Sequence, residues 1–135
     1  MNAMDFLLEH IGYLTDDIAQ TARQFELLGY HKDKIVNDDR QKTRICFLRK
    51  DGETPLELVQ PYDKNDTMLR MLKKRGNGPY HLCYACDDVD RLYDELKEKN
   101  WTPLFKPVEA PALANRKICY FFNAGSGFIE FVNKK

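Results

Sequence analysis

The chain has 135 residues, 43% of them hydrophobic and 31% charged, and its 21 basic and 21 acidic side chains cancel. That is the composition of an ordinary soluble domain, long enough to bury about two-thirds of its unfolded surface without a disulfide staple. The charge balance argues against a nucleic-acid reader, which shows a basic excess or stripe, and no apolar run approaches the roughly 20 residues that cross a bilayer.

In chain order, the first element is a strand at Leu7–Leu14; Asp5 and Glu9 break its apolar character, so no secretory signal is expected. Asp16-Asp17 then supplies a helix N-cap, with Gln20 at capping-box spacing from Asp17. Ile18, Ala22, Phe25 and Leu28 form one apolar stripe, and Gly29 sits where a left-handed C-terminal cap belongs. Strands follow at Arg44–Arg49 and Leu56–Gln60, separated by a turn at Gly52. Pro61–Pro79 reads as a linker holding a short helical stretch, Thr67–Lys74, and a Gly76-Asn77-Gly78-Pro79 breaker. The basic run Lys73-Lys74-Arg75 is read as a solvated turn.

The second half starts with a strand at Tyr80–Ala85 and a helix capped by Asp87-Asp88, whose stripe is Val89, Leu92, Tyr93 and Leu96. Asn100 takes the C-terminal cap position. Pro103–Pro111 contains three prolines and no strand or helix pattern, so it reads as an exposed loop or lid. Strands at Ile118–Phe122 and Phe128–Asn133 end the chain.

The halves are copies. HIGYLTDDI at 10–18 matches HLCYACDDV at 81–89, a shift of 81 − 10 = 71. TRICFLRKDGETPLELVQ at 43–60 matches RKICYFFNAGSGFIEFVN at 116–133 without a gap, a shift of 130 − 57 = 73. Two blocks in the same order at nearly the same shift mark an internal duplication. The expected organisation is a first module at 5–60, the linker at 61–79 and a second module at 80–135.

The duplication carries a pattern of polar residues. Glu57 and Glu130 lie in strands with apolar neighbours on both faces, which marks those strands as buried. A carboxylate there costs several kcal/mol unless it is paired, hydrogen-bonded or bound to a metal. His10 and His81 open the matched first strands. One such His, or one such Glu paired with Arg44 or Lys117, would be unremarkable; the same pair twice is harder to assign to chance. His10, Glu57, His81 and Glu130 are therefore expected to converge near a pseudo-twofold axis and hold a divalent ion, Ni²⁺, Zn²⁺, Co²⁺ or Mn²⁺.

Cys83-Tyr84-Ala85-Cys86 competes as a redox or zinc motif. Its odd spacing sends the thiols to opposite faces of a strand, and the matching first-half residues are Gly12 and Thr15. All four cysteines are read as buried free thiols, which places the protein in the reducing cytoplasm.

These stretches together resemble the vicinal-oxygen-chelate superfamily, which includes glyoxalase I, methylmalonyl-CoA epimerase and bleomycin-binding proteins. The resemblance runs through HIGYLTDDI, TPLELVQP, GPYHLCYACDDVDRLYDELKEKN and SGFIEFVN. It implies an α+β fold, a single domain over 1–135, with two β-α-β-β-β modules whose curled mixed sheets enclose a metal cleft. Ligands in that family come from the first and last strand of each module, here His10, Glu57, His81 and Glu130.

The implied activity is that of a lyase or isomerase of the glyoxalase I or methylmalonyl-CoA epimerase type. In that chemistry a proton moves next to a carbonyl through a metal-bound enediolate, with Glu130 and Glu57 as the catalytic carboxylates. Arg44, Arg116 and Lys117 are candidates to hold an anionic small-molecule substrate, and a homodimer is expected. A drug-sequestering binding protein on the same fold is the alternative. Two segments depart from the epimerase pattern: APALANRKI at 110–118 has no glycine, and Arg40 stands where an extra acid/base glutamate is expected, beside Asp38 and Asp39.

Overall fold

The fold was analysed in a computed structural model that describes residues 5–135. Among the described residues, eight strands and three α-helices follow one another as β1 (Leu7–Leu14), α1 (Ile18–Glu26), β2 (His31–Asp38), β3 (Thr43–Arg49), β4 (Leu56–Pro61), α2 (Asp66–Arg75), β5 (Gly78–Cys86), α3 (Val89–Glu98), β6 (Thr102–Ala110), β7 (Arg116–Asn123) and β8 (Gly127–Asn133). The architecture is α+β, a β-α-β-β-β unit present twice. None of the helices is long and apolar enough to cross a membrane.

The chain forms two compact units, one of residues His10–Tyr80 and one of the stretch up to Glu9 together with His81–Lys135. In the first unit the strands lie in the order β2-β3-β4-β1. β1 runs parallel to β4, with Gly12 opposite Glu57, while β3 is antiparallel to both β2 and β4. In the second unit the order is β5-β8-β7-β6. β5 is parallel to β8, with Cys83 opposite Glu130, and β7 is antiparallel to β8 and β6.

Each helix forms where a cap and a stripe agree. The Asp17 carboxylate accepts from the Gln20 amide at 3.1 Å, and Asp88 accepts from the Arg91 amide at 3.2 Å. The last strand of each unit adds a second cap: Gln60 Oε1 accepts from Ile18 N–H at 3.0 Å, and Asn133 Oδ1 from Val89 N–H at 2.8 Å. Both helix starts are thereby tied to the strand that carries the glutamate, satisfying amides a helix leaves open.

Ile18 and Ala22 of α1 pack on Cys46, Leu48, Leu56 and Leu58, with Phe25 against that cluster. Val89, Leu92 and Leu96 of α3 pack on Cys119, Phe121, Ile129 and Phe131. The apolar stripe of α1 stops at Phe25: the helix ends with Leu27 as its cap, and Leu28 is exposed. Gly29 and Asn100 adopt the left-handed conformation expected after the two helices, at φ +97° and +67°.

Two strands that the β-α-β-β-β resemblance implied, but that the residue pattern did not mark, are present. Thr102–Ala110 is strand β6, not a loop or lid. Its prolines are tolerated because β6 is the last strand in its unit's order and pairs only with β7 there, so a missing N–H can face away from the ladder. The register breaks between Pro103 and Phe105 and again between Phe105 and Val108, around Pro107. β2 is the other end strand; His31 to Ile35 are all exposed, so HKDKIVND shows no apolar alternation to read.

Between the units' sheets in sequence, α2 is capped by Asn65 and stopped by Gly76 at φ +74°. It has no fully buried residue, and Lys73, Lys74 and Arg75 occupy its last turn, where positive charge suits the helix dipole.

Candidate metal centre

The side-chain alternation of a strand assigns opposite jobs to neighbouring residues. In β4, Leu56 and Leu58 join the helix-side core, so Glu57 between them takes the other face. In β1, His10, Gly12 and Leu14 are the buried positions of the alternating pattern. The result is a His–Glu pair: His10 Nε2 lies 3.5 Å from Glu57 Oε1, with His10 fully buried and Glu57 4% exposed. Phe47, opposite Glu57 on β3, places its ring edge-on to His10, with centroids 5.3 Å apart.

The second unit repeats this construction. Ile129 and Phe131 join the α3 core, and Glu130 takes the other face of β8. His81 Nε2 lies 3.2 Å from Glu130 Oε1, and both residues are 4% exposed. Tyr120, opposite Glu130 on β7, stands to His81 as Phe47 stands to His10, with centroids 5.2 Å apart.

The donors fit a divalent ion. Ligands about 2.1 Å from one ion sit about 3.0–3.4 Å apart when adjacent in octahedral or tetrahedral arrangements; the His81–Glu130 pair, at 3.2 Å, is spaced in that range, and the His10–Glu57 pair, at 3.5 Å, lies just beyond it. Imidazole nitrogen with carboxylate oxygen is the set that borderline first-row ions take. All four residues are buried, His10 with Glu57 in the first unit and His81 with Glu130 in the second, and each pair consists of residue types that could hold a metal ion.

The proposed anion-binding residues have other surroundings. Arg44 is exposed on β3. Arg116 donates to Glu9 at 2.8 Å and to the carbonyls of Leu113 and Asn133, both at 3.0 Å, which ties the turn after β6 to the end of β8. Lys117 is paired with Asp90 at 2.8 Å, and that hydrogen bond raises its pKa. Asp38 is buried and accepts from the amide and side chain of Gln41, both at 3.0 Å, while Asp39 accepts from the Tyr62 hydroxyl at 2.8 Å. Both acids thus serve the β2–β3 turn.

The four cysteines are buried thiols, none of them in a disulfide. Burial pushes the thiols of Cys46, Cys86 and Cys119 up, Cys86 to about 11 even though a backbone hydrogen bond at Asp88 opposes the rise. Thiols held protonated are poor nucleophiles and poor metal ligands. Cys86 belongs to the α3 core, whereas Cys83 stands opposite Glu130. The sequence reading singled out neither Phe47 nor Tyr120, although the gapless repeat places them 73 residues apart (120 − 47 = 73) on the strands beside the glutamates.

With this geometry established, comparison with known proteins gives the family. The model of the Glyoxalase/Bleomycin resistance protein/Dioxygenase superfamily matches residues 9–120, and the chain belongs to that superfamily. Among solved structures, a hypothetical protein from Bacillus halodurans C-125 is similar at 22% identity and TM-score 0.83, over 96% of this chain and 95% of that one. Methylmalonyl-CoA epimerase from Mycobacterium tuberculosis is similar at 23% identity and TM-score 0.83, over 95% of this chain and 87% of its own. A methylmalonyl-CoA epimerase in complex with methylmalonyl-CoA and NH4+ is similar at 20% identity and TM-score 0.81, over 94% and 93% of the two chains. These likenesses establish the shared fold. No curated protein matches the sequence.

Proposed function

We propose that this protein is a divalent-metal-dependent isomerase or lyase of the glyoxalase I or methylmalonyl-CoA epimerase type, which moves a proton on the carbon beside a carbonyl of a small anionic molecule. The observation that carries the reading is the buried His–Glu pair, built by the same strand positions in both units, with donor atoms 3.5 and 3.2 Å apart. On this reading His10, Glu57, His81 and Glu130 serve one ion of the Ni²⁺, Zn²⁺, Co²⁺ or Mn²⁺ class.

When bound, such an ion acts as a Lewis acid toward substrate oxygens. The protein's own part follows from its packing. His10 and His81 are fixed ligands, each ring held edge-on by an aromatic neighbour. Glu57 and Glu130 each have two oxygens, so one can ligate while the other takes and returns the proton at Oε. The epimerase bound to methylmalonyl-CoA motivates a thioester as one substrate class; a thiohemiacetal is the other.

The test is proton exchange in D₂O. Protein loaded with Ni²⁺, Co²⁺, Zn²⁺ or Mn²⁺ is incubated with methylmalonyl-CoA, or with the adduct of methylglyoxal and glutathione, and followed by NMR. Metal-dependent deuterium incorporation or product formation, lost in Glu130→Gln and Glu57→Gln, is the expected result. Binding of these molecules without exchange under any of the four metals would replace the enzyme reading with that of a sequestering protein.

A further inference from the structure

The starts of α1 and α3 are each held by two acceptors of different origin. The local one is the aspartate before the helix, which takes the Gln20 amide in α1 and the Arg91 amide in α3. The other reaches in from the last strand of the same unit: Gln60 Oε1 accepts from Ile18 N–H at 3.0 Å, and Asn133 Oδ1 from Val89 N–H at 2.8 Å. Ile18 and Val89 are 2% and 0% exposed, so a first-turn amide there depends on a protein acceptor.

The place of those acceptors in their strands gives them a second consequence. Gln60 lies three residues beyond Glu57, and Asn133 three beyond Glu130. An odd step along a strand changes face, so the amide side chain meets the helix while the carboxylate takes the other side. Three residues span only about 10 Å. A strand that slid or twisted against its helix would carry the carboxylate with it, whereas metal ligands must be held to within about 0.2 Å. Apolar packing is non-directional and resists such a slide weakly; a hydrogen bond has a set length and angle. In the second unit β8 is fastened again at the same residue, since Arg116 donates to the Asn133 carbonyl at 3.0 Å.

We propose that Gln60 and Asn133 are positioning residues for the metal centre. Each locks the strand that carries a glutamate to the start of the helix in its own unit, and so sets where Glu57 or Glu130 is presented. This rests on the metal-dependent reading above and deepens it. Asp17 and Asp88 cap the same helix starts from the helix's own sequence, so they separate positioning from plain helix stability.

The experiment measures Co²⁺ affinity by competition with a chelating dye, well below the Tm of every variant, and thermal unfolding alongside it. Gln60→Met and Asn133→Leu keep side-chain size and remove the acceptor; Gln60→Glu and Asn133→Asp keep the acceptor. The expected result is Co²⁺ binding weaker by about tenfold in each of the first two, the low end for a residue that acts through a ligand. Asp17→Ala and Asp88→Ala should lose a comparable amount of Tm yet bind Co²⁺ within about twofold of the parent, as should Gln60→Glu and Asn133→Asp. Unchanged affinity in Gln60→Met or Asn133→Leu would overturn the inference for that residue. Equal weakening in the aspartate variants would make the amides ordinary caps and overturn it for both. If Gln60→Met or Asn133→Leu fails to fold, Gln60→Asn and Asn133→Gln, which alter the reach by one methylene, take their place with the same expectation. Each of these failures leaves the metal-dependent reading standing. A parent protein that takes up no Co²⁺ would remove that reading, and this inference with it.

Discussion

The two units differ most where they are packed and least where they hold His and Glu. Behind the sheet, Leu48, Leu58 and Thr21 in the first unit correspond to Phe121, Phe131 and Leu92 in the second, so the second core is the larger. The first even buries a hydroxyl pair, Thr15 with Thr21 at 2.7 Å, where the second has Cys86 and Leu92. On the opposite face the His–Glu spacing, the strand positions and the aromatic neighbour are all kept. A core can be refilled in many ways once volume and polarity are respected. A metal-ligand set cannot, since the element type of each donor is fixed by the chemistry. The His–Glu pairs survive in both copies together with a few core positions, Ile45-Cys46 with Ile118-Cys119 and Val59 with Val132, while Leu48, Leu58 and Thr21 have been replaced by larger side chains.

This contrast can be sharpened by mutation. Leu48 and Phe121 occupy matched positions, and both are fully buried. Phe121→Ala is expected to cost about 4 kcal/mol and Leu48→Ala about 3 kcal/mol, through lost transfer energy and the cavity left behind. Urea unfolding of the two variants measures this; a larger loss at Leu48 would contradict the account of the second core as the larger. A smaller effect is expected at the caps. Asp17→Ala and Asp88→Ala should each cost about 1 kcal/mol, and by nearly the same amount, because both carboxylates cap the third amide onward and both helices have a second cap from the glutamate strand. Thermal unfolding checks the match, and a marked inequality would break the symmetry of the two helix starts.

Much of the framework was legible in the sequence because the chain repeats itself and its buried strands are apolar runs. β1 and β5 read as matched stretches ahead of the aspartate pairs, and α1 and α3 read from an aspartate cap followed by a stripe. β2 and β6 did not read, for different reasons. β2 is an end strand with charge along its length, so it carries no apolar signal. β6 holds Pro103 and Pro107, which the ladder tolerates only at such an end. At the candidate centre, the His–Glu pairs were visible because the repeat printed each twice. Tyr120 was in the same alignment, yet nothing about a tyrosine in an apolar strand separates it from core until its ring is found against His81. Arg116 shows the converse: its charge suggested a substrate anchor, and only the folded chain reveals its links to Glu9, Leu113 and Asn133.

The central proposal is that both His–Glu pairs serve one ion. Elemental mass spectrometry of the native protein and of His10→Ala, Glu57→Ala, His81→Ala and Glu130→Ala tests it most directly. Partners one step removed from a metal cost 10- to 100-fold in affinity when lost, so loss of a ligand should cost at least about 100-fold. The account predicts about one divalent ion per chain in the native protein and little in any of the four variants. Full occupancy retained in His10→Ala and Glu57→Ala, with loss only in His81→Ala and Glu130→Ala, would contradict it.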